Sequence, residues 1–371
     1  TTGSVNSNWN GNAFVSVGSG TNAIAYTYNN QGLNWTGLGS SILQCGNSIC
    51  WNGNRRNNYI DFARYDIIAV GSGTNAVAYS SDGISFQGLG ATLMTTGYCA
   101  CVYNNFWLVG GTGVNSLLYS TLNDGARVWT PVVNCNTLFT SVKSIIRGEQ
   151  YFIAIGEGAT TLAYSYDGKS YMLSNSSFFD TIGNGIAYNG KSYVAVGSGT
   201  QGTVATSSDG LSWVFSQVFT TAGNAVHWDG NKWLIMGRGG LTMAYSYDAV
   251  TWQSLGSSIF TTSGNGIDSN SVITVAVGSG STHAIATSID GGITWTGRGK
   301  TLFNVGNAVR WNRNLWVACG GGGGTASLIY SLGGTIWTAC TSSLSTFSSS
   351  ANNVISNYKN NASYTLKQPL I

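Results

Sequence analysis

Charged side chains are scarce in this sequence. Only 8% of the 371 residues are Asp, Glu, Lys or Arg, and the formal net charge is +3. The basic residues form no long run, so the field is too weak to favour the phosphate backbone of a nucleic acid. We therefore expect no nucleic-acid partner. Asn, Ser and Thr fill most polar positions instead, and such a neutral surface favours an extracellular location or the surface of a cell or virion.

Long apolar runs are also missing. No stretch approaches the roughly 18 consecutive apolar residues of a transmembrane helix, so we expect no membrane span. The sequence begins with Thr1-Thr2-Gly3 rather than Met, which favours a processed or trimmed chain.

Metal-binding patterns are absent as well. The seven cysteines include no Cys-x-x-Cys pair, and only two histidines are present, so we expect neither a metal site nor a cofactor. Two pairs, Cys45 with Cys50 and Cys99 with Cys101, fall at the starts of consecutive repeats. One disulfide among them stays open beside the simpler alternative of buried free thiols.

What the sequence does contain is an internal repeat. An aromatic residue recurs at intervals of 39 to 51 residues, at Trp35, Phe86, Trp129, Tyr171, Trp213, Trp252, Trp295 and Trp337. A glycine-rich turn after an apolar run recurs independently, at Gly18, Gly71, Gly110, Gly156, Gly197, Gly237, Gly278 and Gly320. Both series give eight copies, and their spacing is typical of propeller blades.

Each copy contains four short apolar segments separated by turn residues. The copy beginning at Gly223 shows them well, with an Asp229-Gly230 hairpin signal after its first segment. Helical periodicity is absent over any window of 11 or more residues. The sequence therefore predicts an all-β fold: a β-propeller of eight blades, or alternatively seven, each with four antiparallel strands. We expect one domain over residues 1–371, closed by pairing of the terminal segments, with 351–371 as closing strand and tail.

The turn before the recurring aromatic resembles the Asp-box, or BNR, repeat of sialidase-like propellers. Ser288, Asp290, Gly292, Thr294 and Trp295 match its Ser-x-Asp-x-Gly-x-Thr-Trp pattern at full spacing, and other copies match it in part. The resemblance implies a structural turn whose aspartate accepts backbone N–H bonds, a role that suits Asp in turns generally. The aspartates concerned are Asp82, Asp124, Asp167, Asp209, Asp248 and Asp290.

Few acids remain for catalysis once these six are set aside, namely Asp61, Asp66, Glu149, Glu157, Asp180, Asp229 and Asp268. They give no recognisable pair of facing carboxylates of the kind that a glycosidase needs. His227 and His283 are isolated and form no triad pattern. We therefore expect a noncatalytic recognition or structural module that binds a glycan or a protein partner. A diverged sialidase-like glycoside hydrolase and a protein-assembly scaffold stay open as alternatives.

Two groups of basic residues depart from the repeat pattern. Turns expected on one face of the ring carry Arg238, His283, Arg298 and Lys300, with Glu157 in a related turn. Arginine suits carboxylate recognition, so this group predicts an anion or acidic-glycan site, with ordinary solvated loop charges as the alternative. The opposite face carries the second group, which we expect to form a protein contact: Arg55, Arg56, Arg64 and Arg313.

Overall fold

A computed structural model describes residues 14–27, 34–51, 67–103, 106–121, 128–174, 179–340 and 346–356. These residues contain 32 β-strands and one short helix, α1 (Cys135–Leu138). The all-β prediction is confirmed. Short apolar segments rich in Val, Ile, Ala and Tyr alternate with Gly, Asn and Asp turns, and this composition favours strands over helices.

The first three strands of the chain pair with the last one. They are β1 (Phe14–Ser19), β2 (Ile24–Thr27) and β3 (Thr36–Gly37), and the last strand is β32 (Ser350–Ser356). β1 runs antiparallel to β32 from the Phe14–Ser356 pair to the Ser19–Ser350 pair. β1 also pairs with β2, and β2 with β3. Four strands from both ends of the described chain thus form one antiparallel set.

The remaining strands form similar sets of four, each consecutive in sequence. Three of them are β4 (Cys45–Trp51), β5 (Ile67–Ser72), β6 (Val77–Ser80), β7 (Gln87–Gly88); β8 (Thr96–Tyr103), β9 (Phe106–Thr112), β10 (Leu117–Thr121), β11 (Thr130–Pro131); and β12 (Phe139–Arg147), β13 (Phe152–Gly158), β14 (Leu162–Ser165), β15 (Met172–Leu173). Within each set, neighbouring strands pair antiparallel.

The other four sets are β16 (Ile182–Tyr188), β17 (Tyr193–Ser198), β18 (Val204–Ser207), β19 (Val214–Ser216); β20 (Ala222–Trp228), β21 (Trp233–Arg238), β22 (Met243–Ser246), β23 (Gln253–Ser254); β24 (Ser263–Ser269), β25 (Thr274–Ser279), β26 (Ile285–Ser288), β27 (Thr296–Gly297); and β28 (Val305–Trp311), β29 (Trp316–Gly321), β30 (Leu328–Ser331), β31 (Thr338–Ala339). Single residue pairs between sets link 28 strands into one sheet, while β16 to β19 form a separate sheet.

The hydrophobic core lies between neighbouring sets. In one cluster, Leu234 and Met236 of β21 pack with Ile267 and Ala276 of the following set. Other clusters repeat this arrangement from set to set, and one joins Phe14 of β1 to the β28–β31 set. The second strand of each set is therefore buried on both faces, and this explains its continuous apolar run.

One strand of each set, which we call its inner strand, has a β-bulge near its first residues. The inner strands are β4, β8, β12, β16, β20, β24, β28 and β32. The bulged residue is left out of the ladder, and in six inner strands it is an asparagine. Its Nδ2 donates to a backbone oxygen of the next inner strand at 2.8 to 3.0 Å, in Asn47, Asn184, Asn224, Asn265, Asn307 and Asn352.

The two exceptions to this asparagine pattern contact each other. β8 carries Tyr98 and β12 carries Lys143 at the bulge, and the Lys143 Nζ lies 3.6 Å from the centre of the Tyr98 ring. A cation–π contact thus joins these two inner strands. Consecutive inner strands contact one another throughout, and β32 contacts both β28 and β4.

Candidate functional site

A cavity of about 600 Å³ lies between the inner strands, and each of the eight contributes residues to its lining. We call it the central cavity. The lining comes from the middle and the carboxyl ends of these strands. Its volume falls within the range of small-molecule and cofactor sites.

Aromatic side chains are placed where several inner strands end. The cavity lining includes Trp51, Tyr103, Tyr188, Trp228 and Trp311. Three of them pack on an aromatic partner across the following hairpin, with ring centroids 4.3 Å apart for Tyr188 and Tyr193, 5.0 Å for Trp228 and Trp233, and 5.0 Å for Trp311 and Trp316. These packed rings give the cavity firm apolar surfaces.

Three consecutive inner strands place polar side chains at one equivalent position. His227, Asp268 and Arg310 occupy it in β20, β24 and β28, where their register partners are Leu234, Val275 and Val317. The other inner strands carry smaller or apolar residues there, namely Cys50, Cys101, Ile146, Ala187 and Ile355. At this strand position, one side of the cavity wall is therefore polar and the rest is largely apolar.

His227 and Asp268 are both nearly buried, at 9% and 6% exposure. Burial lowers the pKa of His227; the negative charge of Asp268 opposes this effect, and the positive charge of Arg310 adds to it. His227 is therefore neutral at pH 7, with its Nε2 2.8 Å from the Ser269 Oγ. The Oδ2 of Asp268 accepts the Trp311 backbone N–H at 2.9 Å.

Two arginines also line the cavity, and both donate to nearby backbone carbonyls. Arg310 donates to Val309 and Arg147 to Gly148, each at 3.0 Å. The Arg147 guanidinium lies 5.0 Å from the Tyr103 ring centre and 4.9 Å from that of Phe152. Its Nε is buried and has no hydrogen-bond partner. Within the described part of the chain, no carboxylate forms an ion pair with either arginine.

The box aspartates lie away from this cavity, in the turns after the third strands. Asp209 is typical: its Oδ1 accepts the Ser207 hydroxyl and the backbone N–H groups of Leu211 and Ser212. Burial acts to raise the pKa of Asp209, but these hydrogen bonds lower it to about 2. Matching bonds are made by Asp82, Asp167, Asp248 and Asp290. Asp124 lies outside the described residues.

The box tryptophans complete the same turns. The indole N–H groups of Trp213, Trp295 and Trp337 donate to the carbonyl oxygens of Gly210, Gly292 and Gly334 at 3.2, 2.9 and 3.0 Å. These carboxylates and indoles are thus engaged in holding the chain, which leaves the carboxylates unsuited to proton transfer at neutral pH.

Of the four basic residues assigned to an anion site, three lie in the β24–β27 set and are bonded within it. His283 Nδ1 accepts the Gly299 N–H at 3.0 Å, Arg298 Nε donates to Thr287 Oγ1 at 2.7 Å, and Lys300 Nζ lies 3.5 Å from the Gly280 carbonyl oxygen. Arg238 is exposed at the end of β21, where its backbone pairs with Ser263.

His283 replaces an asparagine of the sister turns. Asn22 Oδ1 and Asn75 Oδ1 accept the equivalent backbone N–H groups of Gly39 and Gly90, each at 2.6 Å. The imidazole therefore holds a turn. Glu157 lies in a different set, and its Oε2 accepts the Ser141 hydroxyl at 3.0 Å.

Of the residues assigned to a protein contact, Arg55, Arg56 and Arg64 lie outside the described residues. Arg313 is exposed in the hairpin between β28 and β29, with a φ of 85°.

All seven cysteines are free thiols, so the disulfide left open by the sequence does not form. The described residues contain no cluster of three or more His, Cys, Asp or Glu side chains that could hold a metal ion. No helix among them is long and apolar enough to cross a membrane.

Arg147 and Arg310 were not predicted from the sequence, where His227 was interpreted as isolated and Asp268 was only one of the acids remaining outside the box turns. A signal for three of them was present. Aligning the first strands of the repeats shows an apolar position that becomes His, Asp and Arg in three consecutive copies. The stronger repeat signals, the turns and the recurring aromatic, lie away from the inner strands.

Comparison with known proteins finds structures of similar fold but no sequence family. No family model and no curated protein matches the chain. Among solved structures, the computationally designed Ika8 protein is 12% identical, covers 88% of this chain and 92% of its own, and superposes with a TM-score of 0.58. YCF48 from Cyanidioschyzon merolae is 12% identical, with 83% and 94% coverage and a TM-score of 0.52. The GH74 enzyme of Niastella koreensis is 16% identical, with 89% and 67% coverage and a TM-score of 0.39. YCF48 has a β-propeller fold. The chain is therefore an all-β, propeller-like repeat protein.

Proposed function

We propose that this chain closes into an eight-bladed β-propeller of the Asp-box type, and that its central cavity binds a glycan without catalysing a reaction on it. The observation that carries the functional part is the composition of the cavity wall. Packed aromatic rings alternate there with a small number of hydrogen-bonding groups, and Asp268 is the single carboxylate among the described lining residues.

Ring closure is supported by the contacts around β32. This strand pairs with β1, contacts β28 and β4, and sends the Asn352 amide to the Gly46 carbonyl oxygen at 2.9 Å. The same bond joins other neighbouring inner strands, for example Asn224 to Gly264. The junction between the chain ends thus repeats the junctions elsewhere.

A sugar fits the chemistry of this wall. Sugar rings have apolar faces that pack on aromatic side chains, and they have hydroxyl groups that need hydrogen-bond partners at their edges. Trp228 and Trp311 offer such faces, while Asp268, His227 and Asn353 offer polar groups in the same lining. The few polar groups among apolar ones are typical of a ligand site.

Noncatalytic binding is supported by the shortage of carboxylates. A glycosidase ordinarily uses two carboxyl groups roughly 5 to 9.5 Å apart across the scissile bond. Asp268 lacks a carboxylate partner among the lining residues, and the described box aspartates are held in their turns. The neutral surface rich in Asn, Ser and Thr supports our proposal of an extracellular, cell-surface or virion-surface location.

A glycan array followed by calorimetry tests this function. Trp228→Ser removes one aromatic ring from the cavity lining. It introduces serine, which β24 carries at the equivalent position as Ser269. Tyr247→Ser is a matched control, because Tyr247 is 56% exposed and lies outside the cavity lining. We expect a sugar bound by the parent to bind at least tenfold more weakly to Trp228→Ser and equally well to Tyr247→Ser. Absence of any sugar ligand, or hydrolysis of the sugar, would contradict the proposal.

A further inference from the structure

Resting on the proposed function, we infer that the glycan is acidic and that Arg147 and Arg310 bind carboxylates on two of its sugars. The ligand class is thus an oligosaccharide with carboxylates on separate rings, long enough to reach from one side of the central cavity to the other.

The two arginines belong to inner strands on opposite sides. The contact order runs β12, β16, β20, β24, β28 in one direction and β12, β8, β4, β32, β28 in the other. β12 and β28 are therefore four steps apart either way. Arg147 and Arg310 lie near the carboxyl ends of these strands, and both are in the cavity lining. A ligand that engages both must cross the cavity.

Both guanidinium groups retain capacity for an anion. Each uses one nitrogen on a neighbouring carbonyl, and no carboxylate of the described chain is paired with either. The Arg147 Nε is buried, so a ligand carboxylate would pair with the terminal nitrogens of the guanidinium. Its two oxygens match this planar fork.

The charge balance of the cavity also favours an anion. Two arginines face one carboxylate, that of Asp268, whose Oδ2 already accepts a backbone N–H. His227 is neutral at pH 7 because burial lowers its pKa. The lining therefore carries an excess positive charge in a partly enclosed, aromatic environment, where Coulomb attraction is screened less than at an open surface.

Tyr103 and Phe152 hold one of these groups in place. Their rings flank the Arg147 guanidinium at 5.0 and 4.9 Å. This packing restricts the side chain before a ligand arrives, and a preorganised fork loses less conformational entropy on binding.

Calorimetry with a trimer of galacturonic acid, beside the same trimer with its carboxylates reduced to alcohols, tests the inference. Arg310→Ile introduces isoleucine, which β12 and β32 carry at the equivalent position as Ile146 and Ile355. Arg147→Val introduces valine, which β8 carries at the equivalent position as Val102. Lys191→Gln is the control: it removes one positive charge from an exposed hairpin residue outside the lining.

We expect the parent to bind the acidic trimer at least tenfold more tightly than the reduced trimer. Each cavity variant should lose at least tenfold in affinity for the acidic trimer, while Lys191→Gln should not. Circular dichroism spectra matching the parent would show that the variants are folded. Equal binding of both trimers, or equal effects of Arg310→Ile and Lys191→Gln, would overturn the acidic ligand and leave the glycan-binding proposal standing. Failure of both trimers, together with an empty glycan array, would remove both proposals.

Discussion

Replacing Asn352 by alanine tests the contact that β32 makes with β4. Asn352 lies in the bulge of β32, and its Nδ2 donates to the Gly46 carbonyl oxygen at 2.9 Å. Asn224 makes the equivalent bond to Gly264 at 3.0 Å, between strands that are close in sequence. Both asparagines are half-buried, but Asn352 also accepts the Ser350 hydroxyl at 2.9 Å and its Nδ2 lies 3.6 Å from the Cys45 Sγ, so Asn224→Ala is the simpler reference variant.

In both variants the hydrogen bond between two inner strands is lost, and its carbonyl acceptor is left without that donor. A typical intramolecular hydrogen bond contributes about 1 kcal/mol net, and leaving a buried acceptor unsatisfied costs about 1 to 3 kcal/mol. Gly46 and Gly264 are both buried. We therefore expect Asn224→Ala to lower the free energy of unfolding by about 1 to 3 kcal/mol, and Asn352→Ala to lower it by at least as much.

Urea denaturation of the parent and both variants, followed by tryptophan fluorescence, measures the effect. The midpoint should fall in both variants, and at least as far in Asn352→Ala as in Asn224→Ala, because Asn352 makes further side-chain bonds. A clear loss in Asn224→Ala with none in Asn352→Ala would refute the junction between β32 and β4, because that outcome requires the Asn352 amide to be solvated.

Three further predictions concern the turns, the thiols and the outer cationic residues. Asp209→Ala should destabilise the fold at pH 7, because hydrogen bonds lower the pKa of this carboxyl to about 2 in the folded state. The stabilising contribution of the carboxylate is present above the usual carboxyl pKa of about 4 and is lost as the pH falls through about 2. A series of denaturation midpoints measured at different pH values tests this dependence. Burial raises the pKa of Cys99 and of Cys319 to about 12, so iodoacetamide at pH 8 should label neither until the protein is unfolded, as mass spectrometry of digests would show; rapid labelling of the native protein would contradict their burial. The Arg238→Ser/Arg298→Leu double variant carries the residues of sister repeats, so its free energy of unfolding should lie within about 1 kcal/mol of that of the parent. Any binding of acidic oligosaccharides that persists in Arg310→Ile and weakens with salt should fall further when these two changes are added. Unchanged residual binding would exclude an anion site at these outer residues.

The strands could be predicted from the sequence because their signals are local. Apolar segments of strand length, Asp-Gly and Asn-Gly turns, and the small residues of the third strands each report on a few neighbouring positions. The box turns were accessible for the same reason, since Ser207, Asp209 and Gly210 hydrogen-bond within one turn.

The central cavity was harder to predict because it depends on residues far apart in the chain. Arg147 and Arg310 line one cavity although they belong to distant repeats, and neither falls in a recognisable motif. The bulges were also hidden, because an asparagine left out of the ladder looks like any other strand residue in sequence. Asn265 and Asn307 acquire their role only from the strand that follows each in space.

The outer cationic group illustrates a different difficulty. The sequence predicts Arg298, Lys300 and His283 in neighbouring turns, and they do lie in one set of strands. The sequence does not reveal that His283 accepts the Gly299 N–H, or that Arg298 donates to Thr287. Local hydrogen bonds of this kind decide whether a charged side chain is available to a ligand.

A crystal structure of the protein with the galacturonic acid trimer tests the central claim most directly. We expect electron density for the sugar inside the cavity, with sugar faces against Trp228 or Trp311. A carboxylate of the trimer should lie within about 3 Å of each of Arg147 and Arg310. Density for the trimer on an outer face with the cavity free of sugar, while calorimetry in the same buffer shows binding, would contradict it.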